Sequence, residues 1–370
     1  MDAKWLERVK GLLIEKMAYG REEARKVDFI PYTVREGKWA PGNDGLAWWT
    51  NGFWGASMWQ MYLMCGDEEF KKEAVRCEEM LDGVIWDFEK LHHDVGFMWN
   101  LTSGVNYRLT GNADSRRRWM TAAGVLAGRY NPNGFIRAWN GKRRPGWAII
   151  DCMMNIPMLY RVGACLDDPR YKLIAMKHAD TNMQYFIRPD GSSNHIVIFD
   201  PTTGEMLENP RGQGYESGSS WSRGQSWALY GFVLSYIHTG EQRYLDTAKR
   251  AAHYFIANVQ DDWIPACDFR APLDPVVKDN CAGAIAACGL LELAKIVPEY
   301  EKHIYQSAAE KLLIAMEEKC ADWSMDTPAI FTMCTGSYHA NDHHIQMVYA
   351  DYFFIEAVAK LLDSKAMLFW

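Results

Sequence analysis

Apolar and charged helical segments alternate along most of this 370-residue chain. A run that is apolar nearly all round is followed by a short turn rich in Gly, Asp or Asn, and then by an amphipathic segment with a charged face. Five such pairs span residues 52–81, 104–130, 151–186, 226–259 and 282–318. The spacing of the apolar positions predicts a helical hairpin for each pair, with the apolar helix buried and the charged helix outside.

These hairpins predict an all-α fold. With the amphipathic segment 1–17 and the apolar run 351–362, about twelve helices result, enough for an inner ring of six and an outer ring of six. An (α/α)6 toroid closes such a double ring, and we expect residues 1–370 to form it as a single domain, because closed barrels often exceed the usual domain length. An open solenoid is the alternative, but the repeat period varies more than a strict array allows.

The amino-acid composition indicates which kinds of molecule the chain can bind. Aromatic residues form 13% of the chain and include 16 Trp, which is more flat apolar surface than a core needs and suits the faces of sugars. The formal charge of −7, without a basic block, argues against a nucleic-acid partner. No signal sequence or membrane partner is indicated, and nine Cys without a CxxC pair are typical of reduced thiols, so a cytoplasmic location is expected.

Unusual residues are concentrated in the loops that precede the apolar helices. The four stretches are WWTNGFW (48–54), LHHDVGFMWN (91–100), RRPGWAIIDC (143–152) and GQGYESGSSWSRGQSW (212–227). In a double ring of helices these loops gather at one end, which predicts an aromatic-walled pocket with a few placed polar groups. Trp49, Trp54, Trp221 and Trp227 could each be a core residue, but four at matching positions favour a pocket.

Asp151 carries the one carboxyl group in the apolar run from Gly146 to Tyr160. As a helix N-cap it would accept backbone N–H groups, which would lower its pKa and keep it ionised. As a proton donor it needs a raised pKa, which apolar neighbours and a second carboxylate would supply. Asp94 is that second carboxylate if its loop adjoins the loop of Asp151. The residues by themselves leave both interpretations open.

Four longer motifs occur in order across most of the chain. They are HHDVGFMW around Asp94, IIDCMMNIPMLY around Asp151, RPDGSSNHIVIFDPTTG around His195, and GQGYESGSSWSRGQSWALYGF from Gly212 to Phe232. Together they resemble glycoside hydrolase family 88, the unsaturated glucuronyl hydrolases. The resemblance implies an (α/α)6 barrel without metal or cofactor, with Asp151 as general acid and base and Asp94 as the second essential carboxylate. It also assigns a set of residues to the uronate pocket: Trp49, His93, His195, Gln213, Trp221, Arg223 and Trp227.

The same resemblance implies an unusual hydrolysis. The substrate is the 4,5-unsaturated uronic acid at the non-reducing end of oligosaccharides that lyases release from chondroitin, hyaluronan or heparin. Protonation of C4 by Asp151 creates an oxocarbenium-like centre at C5, water adds there, and the hemiketal opens to expel the remaining sugar. Trp221 and Trp227 would pack against the flattened ring, and Arg223 or a nearby polar group would meet its carboxylate.

One departure from the family pattern lies near the end of the chain. Relatives tend to carry a Trp-Gly pair where this chain has Tyr349 and Ala350, so the leaving-group side of the pocket and the preferred glycosaminoglycan stay open.

Other functions compete with this one. His92 to Asp94 and the stretch HANDHH (339–344) could hold zinc, although neither has the i, i+4 pairing of a zincin. The related family 105, which removes unsaturated galacturonate, an epimerase of the acylglucosamine type, and a non-catalytic sugar-binding module are the remaining alternatives.

Overall fold

The computed structural model describes residues 1–363 and 365–370, and these residues form twelve α-helices and seven short strands. The helices are α1 (Ala3–Ala24), α2 (Asn51–Cys65), α3 (Glu68–Met80), α4 (Ser103–Thr110), α5 (Ala113–Ala127), α6 (Pro157–Leu166), α7 (Pro169–Tyr185), α8 (Ser222–Thr239), α9 (Gln242–Asn258), α10 (Asn280–Ile296), α11 (Glu299–Cys320) and α12 (Val348–Leu362). The strands are β1 (Thr33–Arg35), β2 (Lys38–Ala40), β3 (Tyr130–Asn131), β4 (Phe135–Ile136), β5 (Trp147–Ile149), β6 (Ile196–Phe199) and β7 (Met206–Glu208).

Burial follows the alternation of apolar and charged helices. In α10 every residue from Asn280 to Ala294 is buried, whereas α9 buries only a stripe that includes Tyr244, Ala248 and Phe255. A helix that is apolar all round is stable only when it is covered on every side, and a helix with one apolar stripe covers it from outside. The even-numbered helices therefore form the inner layer, and the odd-numbered helices form the outer one.

The inner layer closes on itself. Each inner helix contacts the next one, directly or through its leading turn, and α12 packs against α2 while α1 contacts both. This closure excludes an open solenoid and confirms the expected (α/α)6 toroid. The turn from α2 to α3 shows how a hairpin is made: Gly66 ends α2 in the left-handed region at φ 75°, and the Asp67 side chain accepts the Glu69 N–H that starts α3.

The structure differs from the sequence prediction where the second and third inner helices begin. The second starts with a π-helical turn at Gly96–Asn100, ahead of α4. The third was expected to begin at Asp151, but β5 and a 3-10 turn at Ile150–Met154 occupy that region, and α6 begins at Pro157. Proline favours the first turn of a helix, and β5 is held by pairing with β6.

A three-stranded antiparallel sheet in the order β5, β6, β7 lies at this point and was not predicted from the sequence. Nine Cys, all within the described part of the chain, are free thiols. Among the helices described, none has the length and apolar character required to cross a bilayer.

Candidate active site

A cavity of about 400 Å³ lies where the expected loops meet. It is lined by residues from all four stretches singled out above and from their neighbours: Asp44, Trp48, Trp49, Glu89, Lys90, His92, His93, Asp94, Trp139, Asn140, Arg144, Ile149, Asp151, His195, Gln213, Trp221 and Arg223. Eight of the nine residues that the family resemblance assigns to the site are in this lining. The convergence of the loops into one pocket follows from the double ring of helices.

Asp151 is placed by the small sheet. Ile149 of β5 pairs with Ile196 of β6, and the N–H of Ile150 donates to the His195 carbonyl oxygen at 3.0 Å. The 3-10 turn that follows then directs the Asp151 carboxyl into the cavity, where Oδ2 lies 3.6 Å from His195 Nε2 and has no hydrogen-bond partner among the described residues.

The surroundings of Asp151 favour its protonated form. Burial raises the pKa of its carboxyl to about 7, and the nearby charge of Asp94 adds to that shift, while His93 and Arg223 oppose it. Asp151 lies inside the 3-10 turn, whose N-cap is Ile149 without a side-chain cap hydrogen bond, so the carboxyl is not a helix N-cap. With its raised pKa it can hold a proton near neutral pH.

Asp94 has the opposite environment. Its carboxylate lies 3.2 Å from His92 Nδ1 and 3.1 Å from His93 Nε2, and it accepts the Nδ2 amide of Asn155 at 3.0 Å. Burial by itself would raise the pKa of Asp94, but His93 and His92 lower it well below its usual range. Burial by itself would lower the pKa of His93, but the Asp94 carboxylate raises it above its usual value. The two carboxyl groups thus line one site with very different pKa values. Asp151 can act as the acid, and Asp94 remains ionised beside it.

The hydrogen bonds of His195 determine its tautomer. The backbone N–H of Gln213 donates to His195 Nδ1 at 2.9 Å, so the ring proton is on Nε2, the atom that faces Asp151. Burial lowers the pKa of His195 to about 3, with contributions from the charges of Arg223 and His93. Gly212 is required for this approach, because a Cβ there would overlap His195 Nδ1. His195 is therefore a neutral donor beside the acid.

Arg223 is buried in the wall with most of its donors already used. Its Nη2 donates to the carbonyl oxygens of Thr335 at 2.9 Å and Gly336 at 2.7 Å, and its Nη1 donates to the Tyr349 hydroxyl. Nε lies 3.5 Å from Asp279. The family resemblance implied that Arg223 or a nearby polar group meets the substrate carboxylate, and the structure shows that the Arg223 guanidinium also ties α8 to the segment 335–336. Gln213 Nε2 donates to the same Gly336 oxygen at 2.6 Å.

Of the four tryptophans at matching loop positions, Trp54 is fully buried, donates to Glu73 Oε1 at 3.0 Å and is not among the described residues that line the cavity. The other three are placed differently. Trp221 packs on His195 at 4.2 Å between ring centroids, and Trp49 is half-buried at the opposite wall beside Tyr349, at 5.2 Å. Trp227 is fully buried and packs against Phe97 and Phe353, and it is not among the described residues that line the cavity. Its position in α8 directs the ring toward the barrel core, behind the pocket wall.

Several lining residues were missed by sequence reasoning. Trp139 and Arg144 come from the segment before β5, where the Arg144 guanidinium lies 5.1 Å from the Trp139 ring and 5.2 Å from the Trp147 ring. Three basic residues in GKRRPGW between two tryptophans were a usable signal. Asn155, in the same apolar run as Asp151, does not line the cavity but bonds to Asp94, and it too was missed, although a buried amide needs partners for the same reason as a buried acid.

The histidine-rich stretches were also considered as metal sites. His92, His93 and Asp94 place their ligand atoms within 4.8 Å of one another. His92 Nδ1 and His93 Nε2 lie 3.2 and 3.1 Å from the Asp94 carboxylate, which are the distances of direct polar contacts. In the second stretch, His339 Nε2 lies 2.6 Å from the Tyr215 carbonyl oxygen, and His344 Nε2 accepts the Lys278 N–H at 3.0 Å. The absence of a metal or cofactor stays a prediction.

Comparison with known proteins identifies the family. The model described as Glycosyl Hydrolase Family 88 matches residues 17–359. The chain belongs to glycosyl hydrolase family 88. Membership makes it a glycoside hydrolase and confirms the resemblance drawn from the four motifs.

Relatives within family 88 extend over most of the chain. An unsaturated glucuronyl hydrolase of Bacillus sp. (strain GL1) is 35% identical over 324 residues, which cover 85% of this chain and 86% of the relative. An unsaturated chondroitin disaccharide hydrolase of Streptococcus pyogenes serotype M1 is 32% identical over 84% of this chain and 80% of the relative.

Solved structures agree with this family 88 assignment. The unsaturated glucuronyl hydrolase of Bacillus sp. GL1, described as responsible for the degradation of glycosaminoglycan, matches with a TM-score of 0.91 and 30% identity over 97% of both chains. A mutant unsaturated glucuronyl hydrolase of Streptococcus agalactiae complexed with dGlcA-GalNAc6S matches with a TM-score of 0.84 and 26% identity, covering 98% of this chain and 93% of that one.

Proposed function

We propose that this chain releases 4,5-unsaturated uronic acid from the non-reducing end of lyase-generated glycosaminoglycan oligosaccharides. The observation that carries the proposal is the pair of carboxyl groups in one aromatic-walled cavity, where Asp151 is kept protonated and Asp94 is kept ionised. An enol ether needs a proton donor at neutral pH and a fixed negative charge near the cation that forms, and this pair supplies both.

The proposed reaction starts at the alkene. Asp151 donates its proton to C4, and the C4–C5 electron pair forms the new C–H bond, which leaves an oxocarbenium-like centre at C5. The Asp151 carboxylate then takes a proton from water as the water oxygen bonds to C5. The resulting hemiketal opens at its ring oxygen, and the hemiacetal that this leaves at C1 collapses with loss of the remaining sugar as an alcohol. Asp151 regains from water the proton that it gave to C4, so it ends the cycle protonated.

The neighbouring groups support these steps. Asp94 stabilises the positive charge at C5 and holds the Asp151 proton in place before reaction. The neutral His195, with its proton on Nε2, is positioned to donate to the Asp151 carboxylate or to the substrate carboxylate. Trp49 and Trp221 provide flat faces for the half-flattened ring, and His93, Gln213 and Arg223 complete the polar wall.

Chondroitin, hyaluronan and heparin disaccharides are the proposed substrates. The name of the Streptococcus pyogenes relative and the ligand in the Streptococcus agalactiae structure support a chondroitin-type product as the first to try. The match to family 88 over residues 17–359 favours glucuronate over the galacturonate of family 105. An epimerase would need a free basic group at the cleft floor, but burial lowers the pKa of His195 to about 3, and His93 Nε2 lies against the Asp94 carboxylate at 3.1 Å.

Two further expectations from the sequence are proposals of the same kind. Residues 1–370 are proposed to form a single catalytic domain, because α1 near one end of the chain packs against α12 near the other. A cytoplasmic location is proposed because the nine described Cys are free thiols and seven of them are buried.

The test is the loss of the conjugated-alkene ultraviolet absorbance when the purified protein meets unsaturated disaccharides. Products of chondroitin, hyaluronan and heparin lyases are assayed in parallel, with unsaturated galacturonyl rhamnose as the family 105 comparison. Decay with a glycosaminoglycan product and little decay with the galacturonyl product is the expected result. Binding without any decay would leave only a sugar-binding module.

A further inference from the structure

A buried amide connects the two segments that carry the carboxyl groups. Asn155 follows the 3-10 turn of Asp151 and is completely buried. Its Oδ1 accepts the backbone N–H of Phe97 at 2.7 Å, and its Nδ2 donates to Asp94 Oδ1 at 3.0 Å and to the Asp151 carbonyl oxygen at 3.2 Å. Three hydrogen bonds from one side chain thus join the π-helical turn to the 3-10 turn.

The orientation of this amide follows from its partners. The Phe97 N–H can only donate, so the atom facing it must be the amide oxygen. The Asp151 carbonyl oxygen and the ionised Asp94 carboxylate can only accept, so the atom facing them must be the amide nitrogen. A flipped amide would turn all three contacts repulsive. Only glycine fits at position 96, because a Cβ there would lie 2.6 Å from Asn155 Oδ1.

This contact acts on the carboxylate that the mechanism keeps charged. His92 and His93 approach the Asp94 carboxylate from their own loop, whereas Asn155 is bonded to it from the Asp151 segment. A donor amide stabilises an ionised carboxylate and presents the positive end of its dipole to it. The amide dipole therefore weakens the electrostatic effect of the Asp94 charge on Asp151.

From these contacts we propose that Asn155 is a positioning residue, whose amide holds the Asp94 carboxylate against the segment that carries Asp151 and sets how much of the Asp94 charge Asp151 experiences. The proposal rests on the proposed function, since it concerns the same reaction. Asn155 does not line the cavity among the described residues, so it acts through Asp94.

Asn155→Leu tests this role. Leu has a similar volume but no donor, so Asp94 loses its anchor on the Asp151 side, and the apolar side chain adds to the burial of both carboxyl groups. We expect kcat to fall at least about tenfold, because small misplacements of a catalytic group cost this much or more, while KM stays within about threefold. The alkaline limb of the kcat/KM profile should move to higher pH by at least about half a unit, since less screening of Asp94 and more burial both raise the pKa of Asp151.

The matched control is Asn106→Leu. Asn106 is also buried, and its Nδ2 donates to a carboxylate, Glu78 Oε2, at 2.7 Å, between α4 and α3. This variant should lose thermal stability without moving the alkaline limb. If Asn155→Leu does not fold, Asn155→Ser provides the second test, because Ser is too short to reach the three partners. Asn155→Ser should also lower kcat and move the alkaline limb to higher pH.

The outcomes separate the two proposals. An absence of turnover by the parent protein on every unsaturated disaccharide would refute the proposed function. Turnover by the parent together with an Asn155→Leu variant whose pH profile matches that of the parent would refute the positioning role, even if kcat had fallen, because a purely structural residue would behave like Asn106.

Discussion

Replacing Asp151 with Asn should stabilise the folded protein at alkaline pH while it removes turnover. The pKa of this carboxyl is raised from 3.8 in the unfolded reference to about 7 by burial and by the charge of Asp94. The native state therefore keeps a proton that the unfolded chain releases. A group of this kind stabilises the native state fully below pH 3.8, and the contribution is lost as the pH rises through about 7.

The size of the effect follows from the two pKa values. At pH 5 the proton on native Asp151 contributes about 2 to 3 kcal/mol to the free energy of unfolding, and at pH 8 it contributes almost nothing. Asn does not titrate, so the stability of Asp151→Asn relative to the parent should rise by that amount between pH 5 and pH 8. With an unfolding entropy of about 2 cal/mol/K per residue, the change corresponds to roughly 3 °C in the melting temperature.

Thermal unfolding of both proteins by circular dichroism at pH 5, 6, 7 and 8 measures this directly. Asp200→Asn is the control, because backbone N–H groups of Thr203 and Thr202 lower the pKa of Asp200, so its titration ends below this range. The difference in melting temperature between Asp151→Asn and the parent should grow with pH, and that between Asp200→Asn and the parent should stay constant. A difference for Asp151→Asn that is equal at pH 5 and pH 8 would show that Asp151 is ionised throughout, and the acid assignment would be wrong.

Three other predictions concern activity. The kcat/KM of the parent should fall tenfold per pH unit above about pH 7, as Asp151 loses its proton. In Asp94→Asn the residual activity should start to fall at lower pH, because the charge that raises the pKa of Asp151 is gone. A fall that starts at the same pH as in the parent would contradict the effect of Asp94 on Asp151. Arg223→Lys should raise KM and also lower the melting temperature, because Lys cannot keep the bonds to Thr335, Gly336 and Tyr349; an unchanged melting temperature would show that these bonds are dispensable. Incubation with EDTA should leave kcat unchanged, and a loss that added zinc restores would show that the enzyme requires a metal.

The sequence was sufficient for features that are local. Helical hairpins could be predicted because each segment by itself shows the 3.6-residue period of apolar positions. The closed double ring was then inferred from the number of hairpins. Asp151 could be singled out because a carboxyl within an apolar run is costly unless its surroundings explain it. These inferences needed no knowledge of which segments meet.

The rest of the site depends on contacts between distant segments. The Asp151 segment is a strand and a 3-10 turn rather than a helix because β5 pairs with β6, about fifty residues further along the chain. The donors of Arg223 are used by carbonyl groups more than a hundred residues away, which no local pattern reveals. Trp227 was expected in the pocket, but its direction from α8 depends on how that helix packs against Phe97 and Phe353.

The central claim is that Asp151 delivers a proton to C4 of an unsaturated uronate, and the most direct test is turnover in heavy water. The account predicts one deuterium at C4 of the released keto-uronate, on a single face, with early ¹⁸O from labelled water at C5 and none at the anomeric carbon. Saturated glucuronides should be inert because they have no alkene to protonate. Solvent oxygen at the anomeric carbon with no deuterium at C4, or efficient cleavage of a saturated glucuronide, is the outcome of a conventional two-carboxylate glycosidase and would contradict the account.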